Sequence, residues 1–150
     1  MKTLIICESV HHGCTKKIAD SMAGPLKAEV KKVSEVDTSK LGEYDLIGFG
    51  SGIYMGKHHK NLLKLADSMP ELAKKAFIFS TSGGANENFK NHAALKTKLV
   101  AKGLKIVDEF NCKGHDTVGP LVLVGGINKG KPDQQDLENA RQFAAKLAEL

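Results

Sequence analysis

The sequence predicts a doubly wound α/β fold, five parallel strands covered by helices on both faces, and three observations carry that prediction. Short apolar runs rich in β-branched or aromatic side chains alternate with longer segments of helical periodicity. Three of the runs end in loops of Gly, Ser, Thr or His. The segments between runs are long enough for helical crossovers, and between parallel strands such crossovers are right-handed and cover a sheet face.

The first run is Thr3 to Cys7, "TLIIC", followed by a polar loop and a helix beginning near Thr15, with Ile18, Met22 and Leu26 on one side. "AEVKKV" (Ala28 to Val33) alternates as a half-buried edge strand does, and "YDLIGFGSG" (Tyr44 to Gly52) is a central apolar strand running into glycines. "NLLKLADSM" predicts a helix with Leu62, Leu65, Ala66 and Met69 inward. "KAFIFSTSGG" is a third apolar run ending in small polar residues, and "NFKNHAALKTKLVAKG" predicts a helix closed by Gly103. "LKIVDEFNCKG" is the last main strand. The final helix starts at Pro132 and Asp133 and buries Leu137, Ala140, Ala144 and Leu147. Between Cys112 and Pro132 lies a long connection whose apolar piece, Pro120 to Gly126, has the composition of a short extra strand.

A chain of 150 residues, 41% hydrophobic and 26% charged, is expected to form one domain, residues 1–150. No apolar run approaches the ~20 residues that cross a bilayer, and the N-terminus runs straight into a strand without a secretion signal. Cys7, Cys14 and Cys112 are odd in number and lack C-x-x-C spacing, as thiols in a reducing compartment do. A cytoplasmic location is expected. The net charge of +5 is carried by scattered lysines with a single arginine, Arg141, which fits solvated helix faces rather than a nucleic-acid surface.

In a doubly wound sheet, ligands bind beyond the carboxyl ends of the strands, so three polar strand-end loops predict one site. In "ESVHHGCTKKIA" (Glu8 to Ala19), unpaired backbone N–H groups and the helix dipole would point at one spot, which favours a phosphate. Gly13 would admit close approach, with Ser9, Thr15 and the rings of His11 or His12 as donors. The alternative is an ordinary turn with Thr15 as helix cap.

This stretch resembles the phosphate loop of flavodoxins, in which a strand is followed by Ser/Thr residues and then Gly-Asn-Thr; here Gly13, Cys14 and Thr15 stand in those places. "GSGIYMGKHH" (Gly50 to His59) resembles the family's first flavin-ring loop and "STSGG" (Ser80 to Gly84) its second. The resemblance covers nearly the whole chain, with the length of a short-chain flavodoxin, and implies strand order 2-1-3-4-5, FMN as cofactor and redox proteins as partners. It places Ser9, His11, His12, Gly13, Cys14 and Thr15 around the phosphate. Ile53, Tyr54 and Met55 fall near the isoalloxazine, and Gly56 supplies a peptide that in similar proteins turns to accept a hydrogen bond from the reduced ring. Ser80, Thr81, Ser82, Gly83 and Gly84, with Cys112, Lys113 and Gly114, face the pyrimidine edge.

Three departures qualify the resemblance. Cys14 replaces the usual asparagine, and Ser9 lies one residue further from the glycine than in the commonest form. The second ring loop has no Trp or Tyr, and Phe89 is its nearest aromatic, which leaves one flavin face open. Lys57, His58, His59 and Lys60 crowd the ring loop, whereas electron-shuttle flavodoxins are typically acidic. Positive neighbours stabilise an anion, so a less reducing flavin is expected.

The resemblance implies electron transfer between protein partners with no catalytic side chain. The alternative is an FMN-dependent oxidoreductase acting on a small molecule, such as a quinone reductase. "GSGIYMGKHHKNLLKLAD" is similar to the corresponding loop of menaquinone-dependent protoporphyrinogen oxidase, but the insertion such enzymes carry after it is not evident. Other chemistries fit less well. "GGINKGKP" (Gly125 to Pro132) imitates a nucleotide P-loop but puts Pro132 where a hydroxyl is needed, and the sixth residue after Cys14 is Asp20 rather than the arginine of a C-x5-R phosphatase. His11, His12, His58 and His59 could hold a metal only if their loops meet.

Overall fold

The structure, a computed structural model, describes residues 1–9, 13–83, 87–113 and 132–150, with the backbone alone at 87 and 88. In chain order its elements are β1 (Thr3–Glu8), α1 (Cys14–Leu26), β2 (Glu29–Lys32), β3 (Leu46–Tyr54), β4 (Lys57–His58), α2 (Lys60–Ser68), β5 (Lys75–Ser82), α3 (Ala93–Ala101), β6 (Lys105–Lys113) and α4 (Gln134–Leu147). Short 3-10 segments cover Val33–Glu35, Thr38–Glu43 and Glu87–His92. The sheet runs β2-β1-β3-β5-β6, and β4 pairs with β3 off that path. The five long strands pair in parallel, in the expected 2-1-3-4-5 order once the short antiparallel β4 is set aside. The strand expected within Pro120 to Gly126 lies outside the described residues.

The pleat of the strands distributes the core. Leu4 and Ile6 of β1, Ile47 and Phe49 of β3, and Ala76 and Ile78 of β5 pack with Leu62, Leu65 and Ala66 of α2 and Leu95 and Leu99 of α3. The intervening residues Ile5, Cys7, Leu46, Phe77 and Phe79 pack with Ile18, Ala19 and Met22 of α1 and Ala140 and Ala144 of α4. On this second face β3 offers only Gly48 and Gly50 opposite the Phe77 and Phe79 rings. A Cβ on Gly50 would come within 2.2 Å of the Phe79 ring, and one on Gly48 within 2.3 Å of Phe77. The two phenylalanines thus lie over bare backbone.

The expected helix from Asn88 to Gly103 is divided. Glu87–His92 is 3-10, and α3 begins only at Ala93. Phe89 takes φ +53°, a left-handed conformation that breaks an α-helix, and His92 is drawn fully into the interior. The last helix follows expectation. The Asp133 side chain accepts from the Asp136 N–H at 3.0 Å, and the Asp136 carboxylate accepts from the Asp133 N–H at 2.9 Å, a reciprocal cap. Among the described residues no helix is long and apolar enough to cross a membrane.

Candidate functional site

The loop after β1 meets α1 at Gly13, whose φ of +65° puts it in the left-handed region as the residue before the helix. The chain turns sharply there, and among the described residues a Cβ on Gly13 would meet no atom within 4 Å, which leaves open space above it. The first-turn N–H groups of α1 have no partner within the helix, and one is satisfied locally: the Ser9 hydroxyl accepts from the Lys16 N–H at 3.2 Å. An anion arriving here would meet a helix N-terminus, a glycine cradle and a serine hydroxyl, which fits a phosphate group.

Cys14 and Thr15 are both buried. Thr15 does not cap the helix with its hydroxyl. Its Oγ1 lies 2.9 Å from Thr81 Oγ1, joining the first loop to the end of β5. The pleat explains the pairing, since Thr81 shares the α1-facing side with Phe77 and Phe79 while Ser80 points to the other face. Beside them, β6 pairs Cys112 with Thr81 and Lys113 with Ser82. Residues 80–82 and 112–113, far apart in sequence, thus share one strand end.

The first ring loop is a tight hairpin. Ile53 pairs with His58 and Tyr54 with Lys57, leaving Met55 and Gly56 as a two-residue turn with φ +51° and +78°, the pattern of a type I′ turn. Met55 stands fully exposed at the tip, at 102% of its reference area. Tyr54 folds back over Gly52 and meets the His59 ring edge-on at 5.3 Å. Ser51, which sequence reasoning passed over, shapes this turn from below: its hydroxyl accepts from the His59 N–H at 2.9 Å and donates to the Gly52 carbonyl at 2.7 Å.

The positive charge expected around this loop is smaller than the sequence suggests. His58 is 2% exposed and donates from Nε2 to the Phe79 carbonyl at 3.0 Å. Burial pushes its pKa down to about 4, so the ring is neutral at pH 7. His59 Nδ1 accepts from the Asn61 N–H at 3.0 Å at the start of α2. Lys57 and Lys60 are exposed. Phe89, the nearest aromatic to the second ring loop, stacks on His92 at 5.2 Å rather than standing clear of the interior.

A second polar cluster was missed altogether. His92 Nε2 lies 2.7 Å from Ser80 Oγ, and His92 Nδ1 lies 3.1 Å from Glu109 Oε1. A carboxylate can only accept, so Nδ1–H donates to Glu109 and Nε2 accepts from the Ser80 hydroxyl. Asn111 Nδ2 in turn donates to Ser80 Oγ at 2.8 Å, and Lys96 Nζ lies 3.3 Å from Glu109 Oε2. Ser80, His92 and Glu109 have hydrogen-bond spacings like those of a hydrolytic triad, but Ser80 and His92 are both fully buried. No substrate can reach that hydroxyl. The only hint in sequence is spacing, since Glu109 and Asn111 alternate on one strand face.

His11, His12, Gly84 and Gly114, together with most of "GGINKGKP", lie outside the described residues. Residues 4–117 match the family model described as flavodoxin domain, most of the chain. The chain belongs to the flavodoxin family. FMN is the cofactor of flavodoxins, and the helix terminus, open glycine turn and converging strand ends are compatible with it. A protein of Methanocaldococcus jannaschii, described as uncharacterized, is 45% identical over 147 residues, 98% of each chain. Oxidised flavodoxin 2 from Bacillus cereus superposes with a TM-score of 0.74 at 21% identity, covering 99% of both chains. A flavodoxin from the domain Archaea superposes with a TM-score of 0.70 at 17% identity, over 99% of this chain and 97% of that one.

Proposed function

We propose that this flavodoxin-family protein is an FMN-binding electron carrier that passes electrons between redox protein partners. The observation that carries the reading is a pair of contacts at one end of the sheet: the Thr15–Thr81 hydrogen bond joins the start of α1 to the end of β5, and the His58–Phe79 bond joins the β3–β4 hairpin to the same strand. In this reading the N-terminus of α1 and the Gly13 turn take the phosphate, the Met55–Gly56 hairpin lies against one face of the ring, and residues 80–83 with 112–113 offer backbone groups to its edge. Bound FMN supplies electron-transfer chemistry, and the chain contributes binding, orientation and local charge.

What favours a carrier is the protonation chemistry. His58 and His92 are buried, bonded within the protein and held neutral, so neither offers an exposed acid or base to a substrate. Cys7, Cys14 and Cys112 are buried and form no disulfide, which supports a reducing compartment such as the cytoplasm. Burial also pushes the Cys7 thiol up to about 12, so it stays protonated.

The first test is the visible spectrum of the purified protein, followed by titration of stripped protein with FMN, riboflavin and FAD. Oxidised-flavin bands, and FMN binding that weakens without the phosphate, are expected. A colourless protein with no affinity for any flavin would overturn the reading. One observation favours a second reading, an oxidoreductase acting on an anionic small molecule. Phe89 turns onto His92 while Lys57 and Lys60 remain exposed beside the hairpin. Turnover of a carboxylate-bearing porphyrinogen by the flavin-loaded protein would establish it.

A further inference from the structure

We propose that His92 is a positioning residue for the second flavin-ring loop, the buried hub that holds the end of β5 in the shape that receives the ring. The inference rests on the reading that residues 80–83 face a flavin, and it concerns a residue that makes no contact with the cofactor itself.

The hub gathers four elements around one imidazole. Ser80 comes from β5 and Glu109 from β6, both hydrogen-bonded to the ring. His58 comes from β4, its ring 4.9 Å from that of His92, and Phe89 comes from the preceding 3-10 turn at 5.2 Å. Phe89 reaches that place through a strained φ of +53°, which persists only where surrounding contacts over-determine it. His92 ends the same 3-10 turn, so the Ser80–His92 bond ties the strand before the ring loop to the segment after it.

Hydrogen-bond direction makes the hub specific. Glu109, braced by Lys96, fixes the proton on Nδ1 and leaves Nε2 as acceptor, which commits the Ser80 hydroxyl hydrogen inward. Asn111 then donates to Ser80 Oγ at 2.8 Å and reaches Ser82 Oγ at 3.3 Å. Two alternate residues of the strand end are thereby held from one face, while the residue between them, Thr81, is held from the other by Thr15. An apolar side chain of similar volume could fill the space of His92, but it could not dictate where residues 80–82 sit.

The test compares wild type, His92→Ala, His92→Gln and Glu109→Gln, each stripped of flavin, titrated with FMN and riboflavin and unfolded in urea without flavin. His92→Ala is expected to bind both flavins about ten-fold more weakly, the equivalent of one buried hydrogen bond, with the ratio of FMN to riboflavin affinity unchanged. His92→Gln, whose amide can accept from Ser80 and donate to Glu109, is expected to recover most of that loss. A merely structural role predicts otherwise: once the unfolded fraction is corrected for, folded His92→Ala would bind both flavins within two-fold of wild type, and that result would overturn the proposal. So would a loss confined to FMN, which would place the effect at the phosphate. If His92→Ala does not fold, Glu109→Gln decides in its place, with weakened riboflavin binding supporting the hub and unchanged binding overturning it. Wild-type protein that binds neither flavin would overturn the FMN reading first, an outcome distinct from a variant that fails where wild type binds.

Discussion

Thr15 Oγ1 and Thr81 Oγ1 stand 2.9 Å apart, both buried, across 66 residues of sequence. The bond joins the first turn of α1 to the end of β5, so the place proposed for the phosphate and the place proposed for the ring share one contact. Thr15→Val or Thr81→Val alone leaves a buried hydroxyl without its partner and is expected to cost about 1–3 kcal/mol of stability. The double variant removes both polar groups and is expected to cost less than the sum of the two. Urea unfolding of the four proteins measures the coupling, and strict additivity would mean that the hydroxyls do not depend on each other.

Gly50 is a packing constraint rather than a turn residue. Its missing Cβ leaves room for the Phe79 ring, which would otherwise be approached to 2.2 Å. Gly50→Ala is expected to destabilise the protein by about 3 kcal/mol through overpacking, and Phe79→Leu on that background should recover part of the loss. The unfolding midpoints of the single and double variants test this. A recovery would show that the ring, not the backbone, is what the glycine accommodates.

Gly13 carries the opposite case. Among the described residues nothing lies within 4 Å of its absent Cβ, so Gly13→Ala meets no clash with them, but its φ of +65° makes alanine cost about 1 kcal/mol. The added methyl would project into the open space above the helix N-terminus. Affinity for FMN is therefore expected to fall more than affinity for riboflavin. Equal losses for the two flavins would show that the phosphate does not lie there.

Acid should loosen the protein at its ring-loop side. Burial holds His58 and His92 near pKa 4, below the ordinary value of 6.5, so the unfolded chain binds protons at mildly acidic pH that the folded chain does not. Their contribution is complete above about pH 6.5 and is lost as pH falls from there towards about 4, amounting in order of magnitude to a few kcal/mol. Groups facing His92 include His58, Glu109, Ser80 and, through Glu109, Lys96. Urea midpoints at pH 7, 5.5 and 4.5 should decline for wild type and decline less for His58→Gln and His92→Gln. Parallel declines would assign the acid sensitivity to other groups.

The sheet was legible because the chain writes continuous apolar runs at β1, β3 and β5, as strands covered on both faces require, and a helical period between them. What escaped was set by tertiary contact. Met55 and Gly56 read only as part of a flavin-ring loop, and it is the pairing of Ile53 with His58 that makes the stretch a hairpin. His58 sits between Lys57 and His59 in sequence and reads as part of a cationic run, yet strand pairing buries it against the Phe79 carbonyl. His92 looked like one polar residue of a helix. Only the fold brings Glu109 and Ser80 to its two nitrogens. Charge and polarity on a loop are local facts of sequence, whereas their exposure is decided by elements that come from elsewhere in the chain.

The neutral state of His58 changes what tunes the flavin. With His58 uncharged, Lys57 and Lys60 are exposed cations that contribute positive field beside the hairpin. Both are exposed, so water and salt weaken their influence, and each unit charge contributes about 1 kcal/mol or less at such a surface. Lys57→Glu in the FMN-loaded protein is expected to lower the midpoint potential by tens of millivolts, because a negative neighbour disfavours the anionic reduced ring. The shift should shrink as ionic strength rises. His58→Gln exchanges one neutral group for another and should move the potential much less. Redox titration of the three proteins at low and high salt separates the possibilities: a large shift in His58→Gln with none in Lys57→Glu would mean that the buried ring, through its bond to the strand end, sets the potential and the surface lysines do not.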